Sequence, residues 1–329
     1  MNQQEENLTI QPRRILSIDI FKGLTILLMV FVNSIHPYND TPVWSKHAGD
    51  FGLTYVDLVA PFFVFMLALN LKISYKRRVE IFGKKRALLR YIRRFSLFIS
   101  IGLILTFNID INKFFFRWGT LQVLGFSGLM ALPLLDLKPY LRLAIAVGFM
   151  SLHQYLLFTP LSVIIYDSIE GGIVGVFSWG SMMILSSFLA EGLEKEKKYL
   201  RDYFLYGGFI CLLTGFVFAF VFGISRPYIS LPYILISVGL ASLIYYILYY
   251  IYEEWGVNHN FVKKERFFSA VGKNSFIFYL IHILIVYSIY NLFPFYTPSI
   301  FILPLAVAHI AFIWLLAYFM NKKKIYIII

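Results

Sequence analysis

The chain has 329 residues, 59% of them hydrophobic and only 15% charged, with a mean hydropathy of +0.71. A soluble domain carries about a quarter charged residues, so that class is excluded, and the apolar stretches lack the alternation of membrane β-barrel strands. The net charge of +12 would suggest nucleic acid in a soluble protein; here the positive-inside rule accounts for it, because cytoplasmic loops collect Lys and Arg.

Apolar stretches of about 20 residues cross a hydrocarbon core of about 30 Å as helices. Ten are predicted in chain order: 14–35, 53–74, 91–109, 118–136, 140–159, 171–191, 203–224, 229–252, 267–291 and 299–320. The break between the fourth and fifth falls at Asp136–Pro139, and Pro294 and Pro298 mark the last turn. The basic residues alternate with the spans. The N-terminus, the even-numbered loops and the C-terminus hold 24 Lys and Arg, ten of them in the second loop, against 4 on the other side. The expected fold class is an all-α polytopic integral membrane protein with about ten transmembrane helices and both termini cytoplasmic. Residues 1–13 read as a polar N-terminus, 14–321 as a single transmembrane domain and 322–329 as a short tail. The polar start and the Asp19 and Lys22 inside the first apolar stretch argue against a cleavable signal peptide.

Several residues could carry chemistry. Asp19 and Lys22 are three apart on one helix face, as an internal ion pair or as the lining of a substrate passage. Asn33 could donate a hydrogen bond to a carbonyl oxygen or glue helices together; His36, one turn on, reads as an interfacial residue. His47 stands in the first outer loop, ten residues before Asp57. A carboxylate can hold an imidazole in one tautomer and make it a general base. A solvated loop histidine and a helix-capping carboxylate are the alternatives.

In the basic second loop, Arg90, Arg93 and Arg94 reach towards the third span, and arginine clusters bind phosphate as well as anionic lipid. Arg117 and Gln122 open the fourth span; snorkelling explains the first but not the second. Lys273, Asn274 and Ser275 open the ninth span, where free helix N–H groups bind phosphate or accept an ordinary cap. His282 lies deeper in that span. Cys211 reads as an inert buried residue. The histidines show no metal-binding spacing, and there is no P-loop or dinucleotide fingerprint.

With these residues in hand, the chain resembles the heparan-α-glucosaminide N-acetyltransferase family of transmembrane acyltransferases. The resemblance runs through Arg14-Ile-Leu-Ser-Ile-Asp-Ile-Phe-Lys-Gly-Leu-Thr, Leu28-Met-Val-Phe-Val-Asn33, Lys46-His-Ala48 and Gly52-Leu-Thr-Tyr-Val-Asp-Leu-Val-Ala-Pro-Phe-Phe. Weaker matches follow at Arg117–Gln122, Asp167–Gly171, Arg226–Gly239 and Val271–Ser275. It implies transfer of an acetyl group from cytoplasmic acetyl-CoA to an amino or hydroxyl group of a sugar on the opposite face. His47 and Asn33 match the family's catalytic histidine and asparagine, and Asp57 a carboxylate of the same motif. Lys22 replaces an arginine, Asp50-Phe51 a Trp-Asn pair and Val123 a second arginine, and the loop from Asn33 to His47 is longer. These departures bear on the acceptor more than on the reaction.

The expected protein is therefore an acetyl-CoA-dependent acyltransferase of the plasma membrane, with His47, Asn33 and Asp57 catalytic. Its partners would be acetyl-CoA, a glycan acceptor, membrane lipids and a second copy of the chain, with no metal and no nucleic acid. A proton-coupled transporter or lipid-linked glycan flippase using Asp19, Lys22, Asp57 and His282 is the rival reading.

Overall fold

The computed structural model describes residues 15–110, 113–116, 118–194, 197–259, 262 and 265–327. α1 spans Leu16–Ile35. After a long loop, a 3₁₀ turn at Tyr55–Leu58 leads into α2, Val59–Phe82. Thr54 and Asp57 form a capping box there, each side chain bonding the other's backbone N–H. Gly83, at φ 80°, separates α2 from α3, Lys84–Thr106; that left-handed backbone favours glycine. A short antiparallel hairpin follows, β1 (Phe107–Asp110) paired with β2 (Lys113–Phe116). It is the only sheet among the described residues of an otherwise helical chain.

Next come α4, Thr120–Ala131, and α5, Pro139–Leu156, the latter opened by a proline that needs no N–H partner. α6, Leu161–Asp167, leaves α5 at 99°. α7 spans Gly172–Leu189. α8, Lys197–Leu200, continues through a π turn at Arg201–Tyr206 into α9, Gly207–Phe222. α10 spans Leu231–Tyr249, α11 Phe267–Lys273, α12 Ser275–Leu292 and α13 Ser299–Lys322.

All ten predicted stretches contain helix. Seven segments are long and apolar enough to cross a bilayer, and the bent α5–α6 pair makes an eighth. The other two fall short for identifiable reasons. α3 carries basic residues through its first half, and the fourth stretch is helical only over Thr120–Leu134. The ninth stretch is two helices rather than one, because Asn274 leaves the helical backbone at φ −124°, ψ 31°. Large apolar side chains point outwards, Phe220 of α9 at 92% exposure and Ile300 of α13 at 73%, as in a protein solvated by hydrocarbon.

Lipid offers no hydrophobic drive between helices, so close backbone packing has to supply it. α9 and α10 meet through Gly208 and Gly239, and α1 meets α11 through Gly23 and Gly272. A Cβ on Gly272 would lie 1.8 Å from the Asp19 carbonyl oxygen, and one on Gly23 1.9 Å from that of Phe268. Gly272→Ala is therefore expected to cost about 1–3 kcal/mol or more of stability. It would appear as a lower thermal midpoint in detergent; an unchanged midpoint would refute the close contact.

Candidate active site

α1 lays out the site along its length. At its start a cavity of about 360 Å³ is bounded by Ile15, just before α1, by Asp19, Lys22 and Thr25 of α1, and by Ile327. Arg78 of α2, Arg94 of α3 and Lys273 of α11 join Lys22 there, so four cations face one carboxylate. Lys22 lies 3.9 Å from Asp19. The Arg94 guanidinium sits 5.6 Å from the Phe98 ring, and its buried Nε has no hydrogen-bond partner among the described residues. A second cavity of about 240 Å³ lies further along α1, lined by Asn33, Gln122, His282 and Tyr290. Leu121 and Tyr279 line both cavities and form the wall between them. At 1.5 Å per residue, Lys22 to Asn33 is about 16 Å along the helix axis.

His36 follows one turn after Asn33, and its ring centroid is 5.1 Å from that of His47. His47 lines neither cavity. Its Nδ1 is 2.7 Å from Asp57 Oδ1, with the imidazole 32% exposed and the carboxylate fully buried. Asp57 Oδ2 accepts the N–H groups of Thr54 (2.9 Å) and Ala48 (3.2 Å), while the Thr54 hydroxyl donates its single proton to the Lys46 carbonyl at 2.7 Å. The acceptor-only carboxylate fixes the proton of His47 on Nδ1 and leaves the Nε2 lone pair for chemistry. One residue thus caps the turn before α2 and orients the imidazole. Burial pushes the His36 imidazole down to about 4, so at pH 7 His36 adds no positive charge beside its neighbour.

Behind Asp57 stand residues that residue-type reasoning did not single out. Arg226 Nε is 3.9 Å from Asp57 Oδ1, and its other end bonds Glu170 Oε1 at 2.7 Å. Tyr233 donates to the Asp57 carbonyl at 2.7 Å. Glu170 holds a left-handed backbone, φ 53° and ψ 31°, which costs about 1–3 kcal/mol in a non-glycine residue. Trp179 Nε1 bonds its carbonyl and Arg226 its carboxylate, so the surrounding structure imposes that turn.

Among the other residues predicted for donor binding, Asp19, Lys22, Arg94, Lys273, Asn274 and Ser275 line the first cavity and Gln122 the second. Gln122 Nε2 donates to Thr106 Oγ1 at 2.9 Å. Arg90 and Arg93 are exposed on α3 and line neither cavity; Arg90 lies over the Phe82 ring instead. Arg117 lies outside the described residues. Two of the lining groups are engaged by the end of the chain. The Asn274 amide donates to the Ile325 carbonyl (3.0 Å) and accepts from the Ile327 N–H (2.8 Å), while Lys273 donates to Asn321 (2.9 Å).

Residues 14–251 match the family described as "Heparan-alpha-glucosaminide N-acetyltransferase, catalytic". The human heparan-α-glucosaminide N-acetyltransferase is 40% identical over 96 residues, covering 29% of this chain and 14% of its own length. The mouse protein of that name is 36% identical over 104 residues, 31% of this chain and 15% of its own length. These alignments thus span about a seventh of each curated relative. The family match includes Asn33, His47, Asp57, Glu170 and Arg226 and ends before α11. With most of its length matched, the chain belongs to the heparan-α-glucosaminide N-acetyltransferase catalytic family.

Proposed function

We propose that this chain is a transmembrane acyltransferase that moves an acetyl group from acetyl-CoA to an amino or hydroxyl group of a glycan across the bilayer. The observation that carries the reading is the order of groups along α1: cation-lined cavity, then Asn33, then His36 against the His47–Asp57 pair. The basic end faces the cytoplasm by the positive-inside rule, which puts the cations where the phosphates of a coenzyme A thioester arrive and His47 on the acceptor side. The residues fit such a donor. Arg94 offers a buried, unsatisfied N–H, and guanidinium and ammonium groups suit phosphate.

Lys22, Arg78, Arg94 and Lys273 hold the phosphates, and displacement of Leu121 and Tyr279 joins the two cavities for the donor's arm. Asn33 donates an amide N–H to the thioester oxygen and stabilises the negative charge that develops there. His47 Nε2 takes the proton of the attacking amine or hydroxyl while Asp57 steadies the imidazolium. The donor supplies the acyl group as a thioester; the carbon–sulfur bond breaks as the new amide or ester forms, and coenzyme A leaves as the thiol.

The test is to incubate the purified protein with acetyl-CoA and a panel of amino sugars and neutral sugars and to follow free thiol. Acceptor-dependent thiol release is expected. A folded protein that releases no coenzyme A with any acceptor, yet takes up substrate into vesicles without it, would sink the reading.

A further inference from the structure

His282 of α12 is buried beside the proposed site and has no part in the chemistry above. Its Nε2 lies 3.0 Å from the amide nitrogen of Asn33. An amide nitrogen only donates, so Nε2 carries the lone pair. That bond uses one N–H of the Asn33 amide and leaves the second. Tyr290 donates its hydroxyl to the Asn33 backbone carbonyl, so Asn33 is held at main chain and side chain alike.

Behind His282 stands His309 of α13, its ring stacked at 5.3 Å. The Ser34 hydroxyl donates its single proton to the Val30 carbonyl at 2.7 Å. Towards His309 Nδ1, 3.1 Å away, it can therefore only accept. These bonds put the proton of each neutral ring on Nδ1. The two rings stack on each other, His282 bonding Asn33 and His309 bonding Ser34, both residues of α1. Ionisable side chains inside a membrane bundle are costly and mark function more often than packing, and an apolar residue would fill the same volume.

We infer that His282 is a positioning residue for acyl transfer: it accepts one Asn33 N–H and thereby aims the other at the acyl oxygen. This rests on the transferase reading. An oxyanion donor works only when held in place beforehand, and a displacement of about 1 Å can cost about a hundredfold in rate. His282 acts through Asn33 and touches no reacting atom.

The experiment compares His282→Leu and His282→Gln in the full chain, purified in detergent, by kcat, KM for acetyl-CoA and thermal midpoint. Glutamine keeps a hydrogen-bond acceptor; leucine does not. His282→Leu should lower kcat about 10- to 100-fold with KM for acetyl-CoA within about threefold, and His282→Gln should restore most of the loss. A leucine variant with normal kcat overturns the inference, as does a glutamine variant that is folded and no better than leucine. Should His282→Leu fail to fold, the glutamine variant is set against Asn33→Leu. In that background His282→Gln should change the residual rate by less than about twofold, because the amide it serves is gone; a further large loss overturns the inference. An unaltered chain that releases no coenzyme A overturns the transferase reading itself, before any variant is made.

Discussion

His47→Ala is expected to abolish acyl transfer while leaving acetyl-CoA affinity within about threefold. The imidazole lies in neither cavity, so its removal takes nothing from the donor's binding surface. It does remove the base whose Nδ1 is clamped by Asp57 at 2.7 Å. A positioned general base is worth about 10²–10⁴ in rate, so turnover should fall to that extent. Binding and turnover measured on one preparation separate the two effects. Undiminished turnover would remove His47 from the mechanism. Equal loss of binding would mean that the loop closes the donor cavity rather than serving the acceptor.

Asp57 variants should affect both folding and rate, and two substitutions divide the effects. Asp57→Ala removes the acceptor for His47 Nδ1–H and for the Thr54 and Ala48 backbone N–H groups, and leaves those two N–H groups unsatisfied at about 1–3 kcal/mol each. A markedly lower thermal midpoint is expected. Asp57→Asn keeps the shape of the side chain and loses its charge. It can present an N–H to Nδ1, which favours the wrong tautomer of His47, and about 10²–10⁴ in kcat should be lost with a smaller stability change. If the asparagine variant turned over normally, the carboxylate would be a helix cap and nothing more.

The all-helical, membrane-spanning character was legible in the sequence, because apolar stretches are local signals. The His47–Asp57 pair was legible for the same reason: ten residues and one turn connect the two, and a capping box holds the second. What joins distant segments was not. Glu170 reaches the site from the turn before α7 and Arg226 from the turn between α9 and α10, and side-chain type alone does not say which segments meet. The link from His282 to Asn33 was not legible because the two lie on helices 249 positions apart. The break at Asn274 falls in the polar run Lys273-Asn274-Ser275, which read as the opening of the ninth span and not as a break within it. Of the second loop's arginines Arg90, Arg93 and Arg94, only Arg94 lines the first cavity. Helical geometry turns Arg94 towards the cavity and leaves Arg93 outside.

The carboxyl-terminal residues looked uninformative as a string of isoleucines, yet Asn274 clasps their backbone at two points and Ile327 borders the cation-lined cavity. Any group attached beside Ile327 is therefore tethered at the proposed coenzyme pocket. Redesigning the carboxyl end of this chain amounts to redesigning the pocket's rim.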